Sequence, residues 1–166
     1  MKPYRPKLQP TLTPTDKAIE IAGWVTLSLF WCYILLSYKT LPEVIPTHFG
    51  ASGKADGFGD KTSIFGLPAI STVLYVGLTL LNRFPHLYNF AVQITPENAF
   101  RQYTIATRMI RWLKLGVVIL FAVIAYSTIA VARAKNPQLN EWFFPMTMAI
   151  IFGVVGYFLT KSISKA

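Results

Sequence analysis

LGVVILFAVIAYSTIAVA, residues 115–132, runs without an acidic or basic side chain and stops at Arg133. An α-helix rises about 1.5 Å per residue and the hydrocarbon core of a bilayer is about 30 Å thick, so about 20 apolar residues cross it. Within lipid the backbone must satisfy its own hydrogen bonds, which leaves helices and closed barrels. A continuous run of Leu, Ile, Val and Ala lacks the in-out alternation of a barrel strand and reads as a helix. Three more uncharged runs of similar length repeat the pattern: IAGWVTLSLFWCYILLSY at 21–38, a stretch at 62–82 and one at 142–160. The expected fold class is an all-α membrane protein with four transmembrane helices over 18–38, 62–82, 113–133 and 142–160, preceded by a Pro-rich tail at 1–15. In that tail Pro3, Pro6, Pro10 and Pro14 oppose helix and sheet. Thr15 followed by Asp16 suggests the cap of the first helix.

Composition agrees. The chain has 166 residues, 53% hydrophobic and 14% charged, where a soluble domain carries about a quarter charged residues. That balance argues against a soluble globule and is the reverse of what disorder needs. A single cysteine, Cys32, excludes a disulfide framework and a cysteine zinc cluster. The net charge is +9, but the basic residues are split by long uncharged runs rather than packed in a nucleic-acid-binding stripe. Their distribution instead sets orientation, because cytoplasmic loops retain the excess of Lys and Arg. With the N-terminus inside, Lys2, Arg5, Lys7, Lys17, Arg83, Arg101, Arg108, Arg111, Lys114, Lys161 and Lys165 lie inside. Lys39, Lys54, Lys61, Arg133 and Lys135 lie outside. The expectation is a bacterial cytoplasmic (inner) membrane protein with both termini in the cytoplasm. Trp112, Trp142, Phe143 and Phe144 sit at span ends, where such rings suit the headgroup layer.

The chemistry-bearing stretch is the outer loop at 39–61, which contains LPEVIPTHFG (41–50) and ASGKADGFGDK (51–61). Pro42 and Pro46 hold the backbone extended, and Asp56-Gly57 is a turn signal. The loop is expected to run extended through His48 and Phe49, turn, and enter the second helix at a cap near Thr62 or Ser63. His48, Asp56 and Asp60, together with Glu43, are the candidate ligands for a divalent cation. The structural alternative makes His48 a hydrogen-bonded anchor and Asp56 a turn former. A phosphate-binding P-loop is excluded, since Gly53-Lys54 is followed by Ala55 and His48 stands where the first glycine belongs. A partner-binding surface would use Pro46, Thr47, His48, Phe49, Asp56, Gly57 and Lys61.

Leu41, Pro42, Ile45, Pro46, Thr47, His48 and Phe49, with Gly53, Asp56, Gly57 and Lys61, resemble the signature of the bacterial membrane domain of unknown function 1648. The resemblance spans residues 20–80. That domain forms the N-terminal part of Sdp-type immunity proteins, so the resemblance implies recognition of a secreted peptide and a role in immunity or signalling. A second block, from Tyr88-Asn89 through Thr95, Glu97, Asn98, Arg101 and Tyr103 to Arg108, is similar to stand-alone members of the same family.

Residues 95–112 read as an amphipathic helix entering the third span, with Thr95 as cap and Pro96 in the first turn. Glu97, Arg101, Arg108 and Arg111 share one face, which suits anionic headgroups or a docking partner, and Glu97 and Arg101 have the spacing of a helical ion pair. None of the four uncharged runs contains an ionisable group of the kind a transport pathway needs, and Glu20 comes nearest. Ala149 and Gly153 form a close-packing pair through which helix four would meet a neighbour, and Trp24 and Trp31 share a face of helix one. The functional expectation is a non-enzymatic binding, immunity-like or accessory protein with no cofactor and no nucleic-acid partner, in contact with the lipid bilayer and a protein or peptide at the outer loop. A membrane enzyme or metal-dependent site at that loop, and a small subunit of a larger complex, are the alternatives.

Overall fold

The computed structural model describes residues 5–50, 52–134 and 142–164. Lys2, Pro3, Lys135, Glu141 and Lys165, and the side chain of Phe144, lie outside the described residues. The α-helices are α1 (Pro14–Tyr38), α2 (Gly66–Leu81), α3 (Ala99–Arg133) and α4 (Phe143–Ile163), and among the described residues four helical spans are long and apolar enough to cross a membrane: Pro14–Tyr38, Lys61–Leu81, Ala99–Arg133 and Pro145–Ile163. The expectation of an all-α chain is corrected by a small antiparallel sheet of two strands, β1 (Val44–Phe49) and β2 (Ala55–Asp60).

The helix starts follow cap chemistry more closely than run lengths suggested. α1 is capped by Thr13 and not by Thr15: the Asp16 amide donates to Thr13 Oγ1 (3.3 Å) and the Thr13 amide to Asp16 Oδ2 (2.9 Å). This reciprocal box needs an acid three residues after the cap, and Pro14 fills the first helical position, where no N–H is missed. Before α2, Asp60 accepts from the Thr62 amide (2.8 Å) and caps a short 3-10 helix, Lys61–Phe65, so neither Thr62 nor Ser63 serves as the expected cap. Thr95 is likewise not the cap of α3. Its amide donates to Asn98 Oδ1 (2.9 Å) within a turn holding Pro96 and Glu97, and the helix starts at Ala99.

α3 is the central element, packed on α1, α2, α4 and β1. At the hairpin end the core joins Phe30 and Ile34 of α1, Ile64, and Ala125 and Ile129 of α3 with Leu41 and Ile45 from the hairpin segment. Mid-bundle, Leu27, Tyr75 and Val118 meet. There α2 approaches α1 at Gly23, where a Cβ would collide with the Tyr75 hydroxyl and ring. Tyr75 Oη donates to the Glu20 carbonyl (3.1 Å). Trp24 and Trp31 both serve this contact. Trp24 lies edge-on to Tyr75 at 4.9 Å, and Trp31 Nε1 donates to Thr72 Oγ1 (3.0 Å).

α4 lies apart from this packing, burying only 6% of its most apolar window against 22–28% for the other three helices. Its polar tie is buried: Gln102 Nε2 donates to the Ser162 carbonyl (3.1 Å), and Ser162 Oγ donates to Gln102 Oε1 (2.6 Å). Ala149 and Gly153 are exposed, and a Cβ on Gly153 would meet nothing within 4 Å, so the close approach expected of this pair is not made among the described residues.

Candidate functional site

The hairpin owes its shape to irregular pairing. The register steps from Pro46↔Phe58 to His48↔Gly57 and then to Phe49↔Ala55, which leaves Thr47 and Asp56 as extra residues of two adjacent bulges. Bulges bend a strand and re-aim its side chains. Here they set His48 Nδ1 2.5 Å from Asp56 Oδ1, with both side chains largely exposed. Gly57 makes room for this, because a Cβ there would stand 2.9 Å from His48 Cβ. Asp56-Gly57 is therefore not the turn the sequence signalled. The reversal lies at Gly50 to Lys54, closed by Gly50 N–H to Lys54 O and Gly53 N–H to Gly50 O (each 2.9 Å). Gly53 has φ 77°, a conformation glycine adopts at no steric cost. The pairing gain across the whole ladder outweighs the local preference of an Asp-Gly pair.

The hairpin is also fastened. Ile45 and Leu41 are buried in the bundle core, Lys61 Nζ donates to Glu43 Oε1 (2.7 Å), and the Lys61 amide donates to the Glu43 carbonyl (2.9 Å). The Asp60 carboxyl is held below its ordinary range by its hydrogen bonds with Thr62. Beneath β1 opens a cleft of about 430 Å³, lined by Pro46, Thr47, His48 and Phe49 on one side and by Leu67, Ile70, Ile124 and Phe143 on the others. The expected loop residues divide as follows. Pro46 is buried against the bundle, Thr47, His48 and Asp56 are exposed, Phe49 and Gly57 are half-buried, and Lys61 is tied to Glu43. Of the candidate metal ligands, His48 and Asp56 come together, Asp60 caps the next helix at the other end of β2, and Glu43 pairs with Lys61. Among the described residues no three His, Cys, Asp or Glu side chains are grouped to hold a metal ion.

At the opposite end of the bundle the structure assembles a cluster that sequence reasoning missed. Arg108 reaches Asp16 through Nε (3.0 Å) and Nη2 (3.2 Å). Arg111 Nε donates to Glu20 Oε1 (3.2 Å), and Lys114 Nζ donates to Glu20 Oε2 (2.6 Å) and Thr79 Oγ1 (2.7 Å). The Lys114 side chain has 0% exposure, and its ammonium stands 4.6 Å from the Tyr75 ring centroid. The basic face of α3, expected to meet headgroups or a docking partner, is therefore turned largely onto α1. Arg111 is buried, Arg108 and Arg101 are half-buried, and Glu97 remains exposed. Glu97 forms no ion pair with Arg101; the Thr95 hydroxyl is the main influence holding its carboxyl below the usual range. The signal was available. Asp16 and Glu20 are four residues apart and Arg108, Arg111 and Lys114 three apart, so each set forms one stripe, and buried charges require partners.

Residues 82–98 cover this end. The Tyr88 hydroxyl, with one proton to donate, lies 2.9 Å from Asn82 Oδ1 and 3.0 Å from the Leu81 carbonyl oxygen, while Arg5 Nη1 donates to the Tyr88 carbonyl (2.6 Å). Burial raises the Tyr88 phenol to about 12.

Among the described residues, four membrane-length helical spans with a bulged hairpin inserted after the first define a hairpin-capped helical bundle. Within it, residues 25–72 match the family model of a domain of unknown function, DUF1648. The matched segment runs from the middle of α1 through the hairpin into α2, which brings the bulges and Ile45 inside the family's own boundaries. An uncharacterized protein of Archaeoglobus fulgidus is 38% identical over 86 residues, covering 47% of this chain and 47% of that protein. The chain thus spans about half the length of the curated relative it matches. No solved structure matches the chain.

Proposed function

We propose that this protein spans the cytoplasmic membrane four times, with both termini in the cytoplasm and the hairpin on the outer face, and recognises a protein or peptide there without catalysing a reaction. The observation that carries the reading is the two-sidedness of the hairpin: Ile45 is locked in the core while Thr47, His48, Asp56 and Phe58 face outward beside a cleft. A preformed surface on a rigid scaffold binds without a large ordering cost. The sheet has two strands, so the outer edge of β2 offers main-chain groups to an extended segment, the geometry of strand addition. The eleven-to-five split of basic residues supports the orientation. Resemblance to the immunity group supports a secreted peptide as the recognised class.

The test challenges cells that carry or lack the protein with secreted peptide toxins and scores survival. His48→Ala and Asp56→Ala variants run alongside, with amounts in the membrane matched. Protection that the hairpin variants abolish supports the reading. Equal killing with and without the protein, or protection indifferent to both variants, overturns it. In a Cys32→Ala background, Ser52→Cys should react with a membrane-impermeant maleimide added to intact cells. Labelling only after permeabilisation would reverse the orientation.

A further inference from the structure

A second cleft, of about 650 Å³, opens at the end of the bundle where α1 begins and α4 ends. Its walls change character along its length. Ile19, Trp112, Val154 and Phe158 make an apolar slot, and Arg108 and Lys161 stand at its rim. Gly153 leaves that slot open, since a Cβ there meets nothing within 4 Å. Charge at this end is not balanced among the described residues. The carboxylates Asp16 and Glu20 face the cations Arg108, Arg111 and Lys114, so one positive charge in the cluster has no counterpart, and Lys161 adds another. Among the described residues the Lys161 ammonium hydrogen-bonds to Tyr157 Oη alone, at 3.5 Å. Arg108 spends Nε and Nη2 on Asp16 and Thr13, and its Nη1 makes no hydrogen bond to any described residue. Uncompensated charge at the edge of a low-dielectric bundle draws an anion.

We propose that this cleft binds one anionic phospholipid, with its phosphate between Arg108 and Lys161 and an acyl chain along the slot beside Gly153. The depth is right for that occupant. Lys114 ends the uncharged run of α3, and Arg108 lies about 9 Å further along the axis, at headgroup level. The slot supplies the apolar contact that a soluble anion would not use, and the rim supplies the charge that a neutral lipid would not use.

The proposal rests on the membrane reading, which alkaline extraction of membranes tests by itself: a chain released into the supernatant fails that reading before any lipid is added. Protein retained in the pellet is then purified in mild detergent and titrated with phosphatidylglycerol, phosphatidylcholine or inorganic phosphate, following native mass and thermal midpoint. Saturable binding of one phosphatidylglycerol, with a raised midpoint, is expected. Lys161→Gln should weaken it about fivefold, the contribution of one basic residue at a membrane surface. Gly153→Phe, which fills open space and leaves the ion pairs intact, should abolish it. Equal effects of phosphatidylcholine, a shift reproduced by inorganic phosphate, wild-type affinity in both variants, or a lipid-free dimer occupying the cleft would each overturn the proposal.

Discussion

Removing the Glu20 carboxylate is the sharpest probe of the bundle. Glu20 holds both Arg111 (3.2 Å) and Lys114 (2.6 Å), and Lys114 has no exposure through which water could replace it. Among the described residues, Glu20→Met leaves the Lys114 ammonium with Thr79 Oγ1 and the Tyr75 ring. Stripping one partner from a buried ion pair costs about 3–5 kcal/mol. The Glu20 side chain is 23% exposed, so the lower end, about 3 kcal/mol, is expected. At about 2–4 °C per kcal/mol for a chain of this size, the thermal midpoint in mild detergent should fall by about 6–12 °C. Lys114→Met should cost less, because Glu20 keeps Arg111 and two carboxylates then face two cations, whereas Glu20→Met with Lys114→Met removes the buried ammonium together with the partner it loses. The double variant should therefore recover at least half of the loss. Circular dichroism at the helix band across the four proteins reads this cycle. If the two single losses add to within about 0.5 kcal/mol, the pair is not coupled and the reasoning from burial fails.

Ile45→Ala should destabilise by about 2–5 kcal/mol through the cavity it leaves, and hydrogen exchange should speed up across β1 before the helices respond. Gly23→Val should cost about 1–3 kcal/mol by overpacking and shift the Trp24 fluorescence, because Tyr75 occupies the space a side chain would need. Tyr88 links folding to alkaline pH. Its folded phenol ionises near 12 against an unfolded value of 10, so its stabilisation is complete below pH 10 and is lost as pH rises toward 12. Denaturant titrations from pH 9 to 12 should show this loss in the wild type and a smaller one in Tyr88→Phe.

The helices were legible because an uncharged run of membrane length has few other uses, and the run at 115–132 sits wholly inside α3. Their ends were less so. Thr15 looked like a cap only while Thr13 and Asp16 were read one at a time, and Thr95 competes with Asn98, whose side chain closes the turn around it. In the loop, the extended segment and its prolines were readable, but the place of the reversal was not. A local Asp-Gly preference yields to cross-strand pairing that depends on Ile45 reaching a core built from three helices. The ion cluster escaped for a related reason. A basic helical face has the same sequence pattern whether it meets headgroups or two carboxylates on a neighbouring helix, and only packing distinguishes them. Gly23 was invisible for want of its partner, since Tyr75 lies on the next membrane-length helix with the whole hairpin in between.

The length of α3 has a mechanical corollary. Its 35 residues make a rod of about 52 Å, whereas the uncharged stretch between Lys114 and Arg133 measures about 27 Å, close to the thickness of a bilayer's oily layer. Embedded at that depth, the rod leaves about four turns at its start outside the hydrocarbon, braced by α1 and by residues 82–98. The same rod ends against the hairpin on the far side, where Arg133 Nη2 donates to Thr40 Oγ1 (2.6 Å). On the four-span reading proposed above, a tilt imposed at one membrane surface becomes a displacement at the other, with the fulcrum inside the lipid.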